Sequence, residues 1–335
     1  MRRMVVLALV VVLALSVLGA AKGALGSQDN PIQMLLVPST QGEAIKQIGD
    51  QIAQALYGLT GLYIDAVLQP DYAAMVESFA TSEGNMFGMP TSAQYIAIYE
   101  RTNGNCSIRL CSVRYGLLYY YAAIYARRDS GIMTLTDCNG KIWAATDQIS
   151  GSGYIIPKAV FDGWGIQPSQ TIMTGSHANA ITAVVNGQAD FATCYYTAPV
   201  APTGMTATWQ YGDDPERWIY DDYNGAPYPV DVRGKLNDVR SSIVSTFNVE
   251  SLISDFKVVQ LIGESIPNDG VCFGPDFPTD VADVIVNAIK THIASDAGKA
   301  LWSSKTFYAW NAVADVTDSF YDPLRVVMNI AIPTR

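Results

Sequence analysis

Between residues 33 and 101 the chain alternates short apolar runs with amphipathic stretches, and this alternation constrains its fold more than any other feature. Gln33 to Val37 (QMLLV) reads as a buried strand closed by Pro38-Ser39-Thr40. Ala44 to Tyr57 carries apolar residues at helical spacing, and Leu62 to Leu68 alternates as a strand does. Asp71 to Phe79 predicts a second helix with Asp71 as its N-cap. Asn85 to Met89 is a short strand ending at Pro90, followed by a helix over Thr91 to Arg101. Strand and helix in turn predict an α/β domain with a largely parallel sheet.

Further along, Ile108 to Arg127 is long, apolar and rich in tyrosine, and reads as one or two strands leading from a first domain into a second. In a strand, Tyr119, Tyr120 and Tyr121 must point to alternate faces, so at most two can share a cleft. Lys141 to Ala145, Gln170 to Met173 and Phe191 to Tyr195 predict strands of that second domain. Between them, Thr146 to Val185 holds two helix starts entered through small hydroxyl residues, Ser150-Gly151-Ser152-Gly153 and Thr174-Gly175-Ser176-His177. A helix start has unpaired backbone N–H groups and the positive end of the helix dipole, so small oxyanions settle there. A lone Ser-Gly-Ser-Gly is equally at home as a cap or turn.

Residues 199–250 are irregular, with Pro, Gly, Asp and Tyr clustered as in a surface insertion that either covers a cleft or docks a partner. Lys257 to Ile262 then predicts a strand, and Val271 to Phe273 a return to the first domain. Asp280 to Ile293, Asp296 to Ser303 and the tail from Asp318 have helical patterns.

At 335 residues the chain has room for two domains of ordinary size. Met1-Arg2-Arg3-Met4 followed by the apolar run Val5 to Gly19 and a group of small residues has the form of an export signal over residues 1–24. Its removal would lower the basic residues from 21 to 18 against 31 acidic ones, moving the net charge from −10 to about −13. So acidic a chain is a poor partner for nucleic acid or an anionic membrane surface. Any anion it binds must be held by local donors against the field of the whole molecule.

The five cysteines are Cys106, Cys111, Cys138, Cys194 and Cys272. Export permits a disulfide, and Cys106 with Cys111, bracketing a short loop, is the expected pair. There is no C-x-x-C and His177 and His292 are the only histidines, so no metal site is expected. Nothing calls for a cofactor. A serine hydrolase using Ser150 or Ser152 with His177 would need a nucleophile elbow and a third triad member, and neither is apparent.

Taken in order, the strand ending Val37-Pro38-Ser39, the DYAAMVESF helix, MPTSAQYIAIYE, YYYAAIYARRDSGI, SGSGYIIPKAVF, GSHANAITAVVNGQADFA and IPNDGV resemble the periplasmic phosphate/phosphite/phosphonate-binding proteins of ABC importers. The resemblance covers roughly 31 to 198 and 257 to 303. It implies a type II periplasmic-binding-protein fold, with two α/β lobes joined by two crossover strands and a ligand cleft between them. Lobe 1 would comprise 31–125 plus 270–335 and lobe 2 126–269, with crossings near Tyr125 and Ile266.

By the same resemblance, Ser150 and Ser152 would offer hydroxyls to an oxyanion, and Gly151, Ser152 and Gly153 their backbone N–H groups. Gly151 stands where the family often has threonine. His177 matches a histidine that contacts a phosphonate oxygen, Tyr72 and Tyr120 (or its neighbour Tyr119) match pocket tyrosines, and Asp269 matches an acid at the pocket edge. Thr197 stands where relatives that take amino-substituted phosphonates carry a glutamate. The expected ligand is therefore phosphate, phosphite or a short alkylphosphonate, and the expected partner an ABC permease. Should His177 donate as imidazolium, affinity would fall as pH rises through its pKa. A sensory receptor of the same fold, for another small anion or a vitamin precursor, is the alternative.

Overall fold

In a computed structural model, residues 23–39, 42–330 and 333 are described; most of the expected export signal lies outside them. The chain begins β1 (Ile32–Leu36), α1 (Gly42–Thr60), β2 (Ile64–Leu68), α2 (Tyr72–Ala80), β3 (Met86–Gly88), α3 (Ser92–Arg101) and β4 (Ser107–Val113). A turn leads to β5 (Tyr119–Arg127), then β6 (Ile142–Ala145), α4 (Ile156–Trp164), β7 (Gln170–Met173), α5 (His177–Val185) and β8 (Phe191–Tyr196). The insertion contains a two-stranded ribbon, β9 (Tyr220–Asp221) with β10 (Ala226–Pro227), and leads into α6 (Val249–Asp255). The chain closes with β11 (Phe256–Pro267), β12 (Gly270–Phe273), α7 (Thr279–Ala294), α8 (Asp296–Trp302), β13 (Ala312–Asp315) and α9 (Asp322–Val327).

These strands form two main sheets, ordered β13-β4-β12-β3-β1-β2 and β11-β5-β8-β6-β7. Each is mixed rather than largely parallel. β2, β1 and β3 run parallel, as their helical crossovers require, but β12 is antiparallel to both β3 and β4. The reason lies in the path of the chain. It leaves the first sheet on β4 and re-enters it on β12, so those neighbours run in opposite directions. In the second sheet β6 is parallel to β7 and β8, while β5 and β11 are antiparallel connectors.

β5 belongs wholly to the second sheet, which moves the first crossing to residues 114–118, ahead of the expected position near Tyr125. The return crossing is at Asn268-Asp269, just past Ile266. Apolar packing runs through the junction: Tyr120 and Ile266 of the connectors share one buried cluster with Leu35, Tyr72 and Ile96 of the first lobe and Trp143 and Phe191 of the second. Tyr321 and Leu324 of the C-terminal segment pack into it as well. Among the described residues no helix is long and apolar enough to cross a membrane.

The cysteines are unbridged. Five residues apart on an extended segment, Cys106 and Cys111 point to opposite faces, which overturns the expected pair. Cys106 meets the thiol of Cys272, while the Cys111 sulfur lies 3.6 Å from the Asn268 carbonyl.

Candidate ligand-binding site

In open α/β sheets the space beyond the carboxyl ends of the strands is where helix starts converge. Here both sheets present those ends to one cleft. On the first lobe, β2 leads to α2, whose N-cap Asp71 accepts from the Ala74 N–H at 2.7 Å. β3 leads to α3, which opens with a capping box between Thr91 and Gln94. The Gln94 amide also donates to the Tyr72 carbonyl at 2.9 Å, fixing one helix start against the other. On the second lobe, β6 leads to the Ser-Gly loop, β7 to Ser176 and α5, and β8 to Thr197.

Between them is a cavity of about 80 Å3, room for several waters or a small tetrahedral anion. Tyr72, Tyr120, His177, Thr197 and Asp269 line it, together with Arg114. Tyr119 does not; it is half-exposed and packs on Phe320, while Tyr121 faces Trp209 and Tyr211 on the same side of the strand. The pleat of β5 thus sends Tyr120 alone of the three to the cavity.

The Ser150–Gly153 loop lies behind this lining. Ser150 is a cap: its Oγ accepts from the Gly153 N–H at 3.2 Å and lies 3.5 Å from His177 Nε2. The hydroxyl of Ser150 and the Gly153 N–H are therefore engaged within the loop, which corrects the expectation that both face the oxyanion. Gly153 has a separate cause, because a Cβ there would fall 1.8 Å from Thr146 Oγ1. A Cβ placed on Gly151 would lie 3.7 Å from Tyr120 Oη, 3.8 Å from Ile266 Cγ2 and 3.9 Å from Ala93 Cβ, so a side chain such as threonine would meet only ordinary contacts at its Cβ. Ser152 is buried against Tyr120, with its own hydroxyl unpaired among the described residues.

Three unpaired polar groups stand out beside the cavity. The Tyr72 hydroxyl, His177 Nδ1 and Asn237 Oδ1 all belong to buried residues that line it and have no hydrogen-bond partner among the described residues. A buried polar atom left unpaired costs roughly 1–3 kcal/mol, so three around one space mark a place built for a polar guest. Burial, and secondarily the charge of Arg114, hold the pKa of His177 down at about 3. The ring is thus neutral at ordinary pH. With Nε2 beside Ser150 Oγ, a proton on Nδ1 makes His177 a neutral donor to the site, in place of the expected imidazolium.

Arg114 went unread in the sequence because nothing around it forms a motif. It sits in the first crossing, and its guanidinium pairs with Asp269 in the second. Nε donates to the Tyr308 carbonyl at 2.8 Å. Burial disfavours the charge, but Asp269 outweighs it and the arginine pKa is raised. The adjoining turn holds Tyr115 at φ 52° and Gly116 at φ 84°, with Tyr115 lining the cavity. A tyrosine in the left-handed region is strained, a condition common at ligand clamps. Asp269, expected at the pocket edge, is there, but its carboxylate is already committed to Arg114.

The insertion forms part of the wall. Trp209, Trp218, Val239 and Ile243 bury into the second lobe, and Asn237 and Ser241 reach the cavity. A buried ion network anchors it: Glu216 accepts from Arg240 at 2.6 Å and Arg128 at 2.5 Å, and Arg240 also pairs with Asp238 at 2.8 Å. His292 accepts from Trp302 Nε1 at 3.1 Å, away from the cleft. No cluster of three or more His, Cys, Asp or Glu among the described residues could hold a metal ion.

The comparisons with known proteins agree with this architecture. The family described as "ABC transporter, phosphonate, periplasmic substrate-binding protein" matches residues 34–319. A binding-protein component of an ABC phosphonate transporter from Pseudomonas aeruginosa superposes with a TM-score of 0.67 at 17% identity, over 89% of this chain and 85% of that one. A Prochlorococcus marinus protein solved with methylphosphonate gives 0.61 at 11%, over 89% and 97%. A Xanthomonas citri protein solved with chloride gives 0.59 at 15%, over 89% and 96%. No curated protein matches. With a family match spanning most of its length and the type II fold in place, the chain belongs to the periplasmic phosphonate substrate-binding family of ABC transporters.

Proposed function

We propose that this protein captures a short alkylphosphonate, or the closely related phosphate or phosphite, between its lobes and delivers it to an ABC permease. The observation that supports this most is the convergence of Tyr72 Oη, His177 Nδ1 and the Arg114 guanidinium on one small cavity at the carboxyl ends of both sheets. Tyrosine and imidazole donors would hold the oxygens, and the tyrosine rings would cover the remaining face of phosphorus and exclude water. Because donors come from both lobes, a ligand that touches both stabilises the closed arrangement over an open one.

Selectivity follows from the carboxylates. Thr197 offers no charge, and Asp269 is neutralised by Arg114, so a ligand ammonium finds no anionic partner. Calorimetric titration of refolded, ligand-stripped protein with methylphosphonate, phosphite, phosphate and 2-aminoethylphosphonate tests this. Binding of one of the first three at micromolar strength or better, weakened at least about tenfold in Tyr72→Phe for the loss of a hydrogen bond to a charged group, is expected. Tighter binding of the aminoalkylphosphonate would refute the assignment.

A further inference from the structure

The cavity has a second polar end that an oxyanion head does not explain. Asn237 and Ser241 of the insertion and Lys305 of the first lobe line it. Asn237 is 5% exposed; its amide N–H donates to the Ala198 carbonyl at 3.3 Å, yet its Oδ1 has no partner among the described residues. Lys305 reaches across the cleft and donates to the Leu236 carbonyl at 2.5 Å, using one of the three N–H donors of its ammonium. An unpaired acceptor and a cation with donors to spare therefore stand at the same end of one cavity. The nearby carboxylate of Asp238 is taken up by hydrogen bonds from Arg240, so it is not a free acceptor for the ligand.

We propose that this end is a subsite for a hydroxyl group on the ligand tail, so that the preferred ligand class is a short hydroxyalkylphosphonate. The reasoning is one of hydrogen-bond valence. A hydroxyl donates one hydrogen bond, which Asn237 Oδ1 lacks, and accepts others, which the Lys305 ammonium supplies. An ammonium tail could donate to Asn237 but would face Lys305. A carboxylate tail would suit Lys305 but set two acceptors against each other at Asn237. A methyl tail leaves the Asn237 acceptor unpaired, and sites with an unpaired buried polar group discriminate strongly against analogues lacking its partner. The insertion, which the sequence left open between covering a cleft and docking a partner, would then act in ligand choice.

This inference rests on the phosphonate reading of the same cavity, and the test separates the two. Wild-type protein, stripped of ligand, is titrated with methylphosphonate, 2-hydroxyethylphosphonate, 3-hydroxypropylphosphonate, 2-aminoethylphosphonate and phosphonoacetate. One of the hydroxyalkyl compounds should bind at least about tenfold tighter than methylphosphonate, and tighter than the amine or the carboxylate. That ratio should collapse towards one in Asn237→Ala and fall in Lys305→Met, the second variant being at an exposed position that tolerates change if the first does not fold. Methylphosphonate binding with no hydroxyl advantage, or an advantage that survives both variants, overturns the subsite and leaves the parent reading intact. A preference for phosphonoacetate or the amine overturns the subsite chemistry. No binding by any of the five overturns both.

Discussion

The neutral state of His177 makes the folded protein sensitive to acid in a calculable way. Its pKa of about 3 lies well below the usual 6.5, chiefly because burial disfavours the charged ring and secondarily because of Arg114. The unfolded chain therefore binds the extra proton first. Stability from this group is full above the unfolded value and is lost as pH falls from 6.5 towards 3. Each pH unit in that window costs about 1.4 kcal/mol, so by about pH 5 the loss is roughly 2 kcal/mol. The assay is urea denaturation of ligand-stripped protein near pH 7.5 and near pH 5, for wild type and for His177→Gln, which cannot titrate. Carboxylates titrate alike in both proteins, so the difference of differences isolates the histidine. Wild type should lose about 2 kcal/mol more than the variant between the two conditions. A difference indistinguishable from zero, or of the opposite sign, would refute the buried neutral ring. The same state requires that affinity, corrected for ligand ionisation, stays flat from about pH 5.5 to 8, since the free ring does not change charge there.

Two further outcomes follow from packing. Gly153→Ala drives its Cβ into Thr146 and should cost about 1–3 kcal/mol, whereas Gly151→Ala meets only ordinary contacts and should stay within about 0.5 kcal/mol of wild type, both read by thermal or urea unfolding. Glu216→Ala strips the shared partner from Arg128 and the buried Arg240, and should cost about 3–5 kcal/mol locally, seen as faster amide exchange and proteolysis within residues 199–250 and not in the first lobe.

The parts of this protein that are periodic could be read from its sequence, and the parts made by long-range meeting could not. Strand alternation and helix starts are local, so β1 to α3, both hydroxyl-capped segments and the return at Val271 emerged directly. Asp71 is the cap it promised to be. The cavity is a different matter. Arg114 and Asp269 are 155 residues apart in sequence and meet because two crossings lie side by side. Neither residue carries a local signal of the other. The crossing itself was misplaced for a related reason: β4 and β5 are both apolar, and only Tyr115-Gly116 between them marks the break. Ser150 shows the converse limit, since a motif pointed to a loop that lies behind the cavity lining, and hydrogen bonding within it decided which groups remained available.

The pairing of Arg114 with Asp269 has one more consequence. It joins the outgoing crossing to the returning one, and Asn268 adds bonds to the carbonyls of Ser112 and Leu117 at 3.0 and 2.9 Å. Two strips of chain fastened together in this way cannot bend independently. A hinge between the lobes would then be expected to move about one axis, like a door on a single pin. On the proposed function, cargo would enter and leave along one arc, and a membrane partner would need to grip only the two rims to control both.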